Sequence, residues 1–563
     1  MWSVHCALSL NDSWEGTSIL LHTDLPEPYR LSSINPYFGM FLVSVRPFMY
    51  LHVHSMKNGT LTILAWLLCL PSFTAAQSID WVEVHNLTVR GIDQFYNMEI
   101  DQASASFDAV IRMAPSDPRG HFFRSMIHFW LFTLNRDQKE YDAFMEQSDK
   151  VIEVCDDLLD SDEKDAKAHF YLGGIYGYRG MAFQTNGSML KAVVDGKRGF
   201  SHLEYAVKRD PELYDAQMGF GLFRYLVAKV PRGLSWILKI AGFSGDLEGG
   251  LRSLKLAADK GVYTRSEASY YLSQFLFSEH RRDEAFSYLN ALIKKYPENT
   301  LLLLSYASWQ ARLNNEDEAL AAANKAVAIN SRKKVHYGEE LAYSTLGGLY
   351  FSRNDFAAAK ANYEIYLQKV KNRNAIPNWT WYRMGISREL AGDRTGAVEC
   401  YGMLKKVSEN ERPGDAYYYR LGQQRLQEQL TDAEAFLLRA SNEMNRKNYG
   451  LAAQLYNDAL ERANGDVDLQ ARALYGIQQL YFEREQFTEA VSTSNQLLGL
   501  KPEKERWLIP HGYFRLGQIY TKLGRPADAL RAFEAVERFD DYDFQAGLEG
   551  RVEEEMKKLK VPG

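Results

Sequence analysis

The strongest constraint on the fold is a spacing. Small residues Ala285, Ala319, Ala359, Ala397, Ala452, Ala490 and Ala529 recur at intervals of 34, 40, 38, 55, 38 and 39 residues. The cleanest copy of the unit behind them runs from Trp507 to Asp541. It contains Tyr513, Leu516, Gly517 and Tyr520, then Gly524, then Ala529 and Phe533. The first four lie three or four residues apart and share one face of a helix, while Ala529 and Phe533 line the facing side of a second. Gly524 marks the turn between them. Small Gly517 and Ala529 let the two backbones approach, and the aromatic rings fill the space around the contact.

This pattern resembles the tetratricopeptide repeat, a helix-turn-helix of about 34 residues whose hairpins stack into a superhelix. The resemblance implies an all-α fold, a right-handed superhelical solenoid of about ten to eleven such hairpins in which each contacts mainly its neighbours. Leu346-Gly347 with Tyr350 and Tyr363, Met384-Gly385 with Trp381 and Tyr401, and Tyr481 with Pro502 fall at matching places. The 55-residue step hides a degenerate helix around Tyr417 to Gln429. An early copy lies between Trp81 and Pro118, where Gly91, Ala103, Phe107 and Pro115 take the template positions. A second hairpin runs from Gly120 through Asp160. Its apolar stretch His121 to Leu134 is too aromatic for an exposed helix.

The organisation expected is an N-terminal set of stretched hairpins over 77–263, a regular array over 264–541 and a C-terminal capping helix over 542–563. The Glu- and Lys-rich face of Leu548 to Leu559 suits an open solenoid end. Residues 1–55 show no helical period and read as an extension outside the native product, or as disorder. From Met56 the chain has Lys57, an apolar run Leu61 to Leu70, and small residues before Gln77. That is the order of a signal peptide over 56–76, with the mature chain starting near Gln77. The run is too short to span a bilayer comfortably. The alternative is an extension followed by a membrane anchor. The leader implies export, to the periplasm or the outer membrane if the organism is a Gram-negative bacterium.

Two stretches are unusual. Gly174, Gly177 and Gly180 would suggest a phosphate loop, but no strand precedes them and no Lys-Ser pair follows, so close helix packing explains them better. An insertion from Met181 to Gly196 is expected between this helix and its partner Phe200 to Lys208. Farther on, the helix Tyr214 to Ala228, with Gly219 and Gly221, precedes Pro231, then Gly242, Phe243, Ser244, Gly245 and Asp246, then Gly250 and Leu251. Residues 84–300 are similar in this respect to the family of the eukaryotic tetratricopeptide repeat protein 39 and the yeast inclusion-body clearance protein. The resemblance implies a non-enzymatic helical-repeat protein. That family lacks a secretory signal, so its cellular role does not carry over. Ser244 or Asp246 is placed to cap the following helix. Leu234 to Phe243, with Trp236, Ile237, Leu238 and Ile240, reads as a connecting helix packed over the solenoid or as an amphipathic element touching a membrane.

Catalytic motifs are absent from the sequence: there is no HExxH, Walker loop or GxSxG. The acidic run Asp156 to Asp165 lacks the glycine and terminal glutamate of an EF-hand and reads as a solvated loop opening the next helix. His121 and His128 share a helix face with no carboxylate or cysteine nearby in sequence. Cys155 and Cys400 are too far apart to pair. No catalytic, cofactor or metal site is expected. A formal charge of -6 and a pI near 6.1 give no footprint for nucleic acid.

The remaining functional surface is the concave groove lined by the first helix of each hairpin. Positions beside each repeat glycine, or its equivalent, select Tyr270, Gln274, Phe277, Phe351, Tyr382, Tyr475, Gln479, Phe482, Phe514 and Gln518. Aromatics with interspersed amides suit an extended peptide or helix from a protein partner; several would equally serve packing between repeats. Chaperone-tail binders of the repeat family clamp a terminal carboxylate with lysines and asparagines, which these positions lack. Three readings compete. The first is an exported non-enzymatic scaffold or adaptor, the second a membrane-associated assembly or transport factor using 234–243. The third is a glycan-binding protein or enzyme.

Overall fold

The structure, a computed structural model, describes residues 79–229, 245–333, 337–407 and 413–560. The expectations for 1–55, for the leader 56–76 and for Leu234 to Phe243 fall outside the described residues. Among the described residues there are 24 α-helices, one short 3-10 turn at Arg373–Ala375, and no strand. Consecutive helices pair as antiparallel hairpins, giving the all-α solenoid of tetratricopeptide type that the spacing predicts.

The hairpin contact follows directly from the repeat residues. A Cβ built on Gly517 would lie 2.5 Å from the Phe533 ring, one on Gly91 2.5 Å from Phe107, and one on Gly347 2.6 Å from Tyr363. Gly385 meets Tyr401 in the same way. Each ring follows its glycine by sixteen residues and lies against bare helix backbone, so the small residue is a steric requirement of the hairpin. Ala285, Ala319, Ala359, Ala397, Ala452, Ala490 and Ala529 are all fully buried.

Helix boundaries depart from expectation at 181–196. Helices Ala166–Thr185 and Met189–Arg209 absorb the expected insertion as extra turns of a long hairpin joined by three residues. Glycine allows this length. A Cβ on Gly199 would meet the Gly177 nitrogen at 2.8 Å and the Gly173 oxygen at 2.9 Å, and Gly180 faces the Gly196 backbone. The glycine row is a helix-to-helix seam. The degenerate helix in the 55-residue step is Pro413–Gln427.

Caps fall where short polar side chains precede helices. Asp165, in the acidic run, accepts from the backbone N–H groups of Lys167 and Ala168. Asp246 accepts from Gly249 N–H at 2.8 Å and pairs with Arg224. Contrary to the sequence reading, His128 has a carboxylate partner, because helix pairing brings Glu140 Oε2 to 2.7 Å from its Nδ1. His121 reaches the Pro115 carbonyl. Cys155 and Cys400 are free, buried thiols.

Hairpins also touch far beyond their neighbours, which a simple linear stack would not do. Tyr96 stacks on Tyr296 with ring centroids 5.1 Å apart, Tyr296 donates to Asp93 at 2.6 Å, and Asn299 donates to the Tyr96 carbonyl at 2.7 Å. Tyr178 donates to Glu267 at 2.6 Å. The first hairpins therefore close against those at 265–299, and one apolar core runs from Ile92 to Trp309. In the second half, Asn442 donates to the Phe351 carbonyl at 2.8 Å and Arg420 pairs with Asp543 at 2.6 Å.

Candidate binding groove

The ten groove residues do not form one surface. Tyr270 and Gln274 are buried and Phe277 is half-buried, stacked on Trp309 with centroids 4.3 Å apart. All three belong to the N-terminal interior. Phe351 is buried edge-on to Phe356 in a separate core. Tyr382 is half-buried between Tyr401 and Tyr418, at 5.8 and 5.3 Å, and burial pushes its hydroxyl up to about 12.

The other five gather on two adjacent inner helices, Val467–Glu483 and Leu508–Lys522. Tyr475 is buried against Trp507 at 5.6 Å, and Phe514 packs on Phe533 at 5.6 Å. Phe482 and Gln518 remain half-buried. Gln479 is 1% exposed, and neither polar atom of its amide has a hydrogen-bond partner among the described residues. The Gln518 Oε1 and the Gln478 Oε1 are likewise buried without one. A buried amide without partners is costly, about 1–3 kcal/mol per group.

Two arginines beside these positions were missed by the sequence reading. The Arg515 guanidinium lies 4.4 Å from the Phe482 ring centroid, and its Nε is buried with no partner among the described residues. Burial lowers its pKa, and attraction from Tyr475 and Glu483 only partly offsets this. Arg472 differs. Burial alone would also lower its pKa, yet the combined pull of Glu505, Tyr417, Glu434 and Tyr382 raises it. Neither has a carboxylate within salt-bridge distance among the described residues. Nearby, Arg425 and Glu434 form a bidentate pair at 2.9 Å, and Arg420 pairs with Asp543 at 2.6 Å and with Glu505 at 3.6 Å. A signal was available: Arg472 and Arg515 each sit on an inner helix within three residues of a selected aromatic.

Residues 215–368 match the family model described as Iml2/Tetratricopeptide repeat protein 39. Among curated proteins, none matches. Of solved structures, yeast Tom70 is 12% identical, with 78% of this chain and 96% of that chain covered and a TM-score of 0.28. A tetratricopeptide repeat protein from Parabacteroides merdae is 17% identical, with 53% and 99% covered and a TM-score of 0.24. The human IFIT1 dimer with PPP-AAAA is 15% identical, with 83% and 96% covered and a TM-score of 0.33.

Proposed function

We propose that this protein is an exported, non-enzymatic scaffold that binds an extended segment of a protein partner along the inner helices of its C-terminal half. The observation that carries the reading is the partly exposed pair Phe482 and Gln518 on adjoining helices, an aromatic ring and an amide beside the fully buried Gln479. Aromatic faces give contact area at low entropic cost, and amides match the donor and acceptor of a peptide backbone. Export rests on the leader pattern from Met56 to Gln77. Contact with a membrane would instead rest on Leu234 to Phe243, and flotation of the full chain with liposomes tests that.

The groove is tested with a photo-crosslinking residue at Phe482, and in a control at Leu451, which is exposed on helix Tyr449–Arg462. A discrete protein adduct from Phe482 and none from Leu451 is the expected result. Equal labelling at both positions, or no adduct, removes the groove from consideration. Cell fractionation and N-terminal sequencing of the tagged full chain test export, with a start near Gln77 expected.

A further inference from the structure

We propose that this chain associates with a second copy of itself, the protruding tip of helix Met189–Arg209 in one molecule seating in an acidic cleft beside helix Gln545–Lys560 of the next. The association is separate from the groove reading and does not depend on it.

The tip exists because its hairpin is long. Ala166–Thr185 and Met189–Arg209 have 20 and 21 residues, whereas Glu339–Ser352 and Phe356–Lys369 in the regular array have 14 each. The following helix, Ala216–Ala228, runs antiparallel to Met189–Arg209. Phe200 stacks on Phe223 with ring centroids 4.6 Å apart, and a Cβ on Gly219 would meet the Leu203 side chain at 2.9 Å. That helix stops at Ala228, so the first turn of Met189–Arg209 runs past it. There Leu190 is 85% exposed, Met189 58% and Val194 52%, and Leu190 is the most exposed large apolar side chain among the described residues. Leu190 and Val194 are one turn apart and Lys197 follows three residues on, so the three share a face, with Lys191 alongside. Neither lysine has a carboxylate within 4.0 Å among the described residues. Arg198 adds a third cation, shared with buried Asp195 at 3.4 Å.

The cleft has the opposite charge. It lies between the ends of Pro526–Val536 and Gln545–Lys560 and has a volume of about 480 Å³, room for the Leu190 and Val194 side chains. Buried Val536 and Val552 and half-buried Met556 form its apolar part, and Glu537, Glu549 and Glu553 stand exposed around them. Glu553 is paired with Lys557, while Glu537 and Glu549 have no cation within 4.0 Å among the described residues.

Charge selects the occupant. A second exposed apolar site, Trp81 and Val82 at the start of helix Trp81–Tyr96, is flanked by Asp80 and Glu83, which the glutamates of the cleft would repel. Lys191 and Lys197 complement those glutamates. The contact is heterologous, tip to cleft, so each added molecule presents a fresh tip and a fresh cleft. Its area is small and its charges lie at the rim, which makes the association weak, with a Kd on the order of 10–100 μM that rises with salt.

The test is sedimentation equilibrium of the full chain from about 1 to about 200 μM, a range that brackets this Kd. The average mass should rise with concentration, and less steeply at high salt. Leu190→Asp at the tip and Glu537→Lys/Glu549→Lys at the cleft should each weaken self-association by roughly tenfold or more. Mixed in equal amounts, the two variants should pair one to one and go no further, because one supplies an intact cleft and the other an intact tip. Adding Lys191→Glu/Lys197→Glu to the chain with the reversed cleft should restore part of the association. The substituted side chains are exposed, and melting curves establish that the variants fold; Val194→Asp takes the place of Leu190→Asp if that variant does not. A wild-type chain that stays monomeric throughout overturns the proposal, as does self-association that neither variant changes. Association lost in the tip variant, kept in the cleft variant and without pairing in the mixture also overturns it, since the tip then seats elsewhere. So does a lowered melting temperature in Leu190→Asp with no change in mass, which would place the cover of the tip within its own chain.

Discussion

Gln478 donates from Nε2 to Ser494 Oγ at 2.7 Å, sixteen residues on, where the hairpins of Gly91, Gly347, Gly385 and Gly517 set a glycine against an aromatic ring. The serine in turn donates to the Ala490 carbonyl, so a buried hydrogen-bond chain takes the place of ring-on-backbone packing in this hairpin. Gly476, two residues earlier, packs instead on Tyr456 of the preceding hairpin. Replacing Gln478 with Leu keeps most of the volume but removes the donor to Ser494 and Gly512. We expect a loss of about 1–3 kcal/mol, read as a lower urea midpoint. Retention of wild-type stability would mean the amide contributes little to the seam.

The aromatic version of the same contact predicts a steric effect. A methyl group on Gly517 would stand 2.5 Å from the Phe533 ring, and both elements are held by neighbouring hairpins. Gly517→Ala should therefore destabilise by about 1–3 kcal/mol despite the better helix propensity of alanine, which is worth roughly 1 kcal/mol in the other direction. Gly517→Ala combined with Phe533→Leu should recover part of the loss in thermal melts. Gly524, at φ +67° in the turn with open space around it, should instead resist Val through backbone strain rather than collision.

Glu267 gives the fold a pH dependence. Burial raises its carboxyl to about 7, only partly countered by the hydrogen bond from Tyr178. The folded state thus holds a proton that the unfolded chain releases at about 4.3. The contact between early and later hairpins is strongest at low pH, and stability falls as pH rises from about 4.5 to about 7, by up to roughly 3 kcal/mol. Glu267→Gln keeps an acceptor for Tyr178 without the charge. Its advantage in melting temperature over the wild type should be small at pH 5 and grow to a plateau above pH 7; a constant difference across that range would refute the assignment.

The repeat alanines and the glycine–ring pairs were legible because one contact geometry dictates their identity in hairpin after hairpin. Asp246 was legible for the same local reason, since a cap needs only its own helix. What escaped the sequence depends on winding. His128 meets Glu140 through the pairing of two helices, and Tyr296 reaches Asp93 across 203 residues. The 181–196 stretch read as an insertion because glycine spacing reports close approach without reporting helix length. At the groove, the period selected Gln479 and Gln518, but Tyr270 and Gln274 have the same relation to their own repeat and lie in the N-terminal interior. Periodicity assigns a helix face; whether that face meets solvent or another turn of the solenoid is decided by residues far away.

Arg425 and Glu434 give the last expectation. Both are almost fully buried, 3% and 9% exposed, and joined by two hydrogen bonds of 2.9 Å. Glu434 also accepts from the Thr431 backbone N–H at 2.9 Å, completing a capping box for helix Asp432–Asn445. Glu434→Ala removes the cap and leaves a buried guanidinium without its carboxylate, a change expected to cost on the order of 3–5 kcal/mol. Arg425→Met spares the backbone cap but strands part of the carboxylate, and should cost less. In the double variant Arg425→Met/Glu434→Gln the charge penalty disappears while the glutamine still caps. Its stability should exceed that of Glu434→Ala, and a double-mutant cycle with Glu434→Gln should give a coupling well above the 1 kcal/mol of an exposed pair. Additive effects would place the pair's contribution in the cap alone.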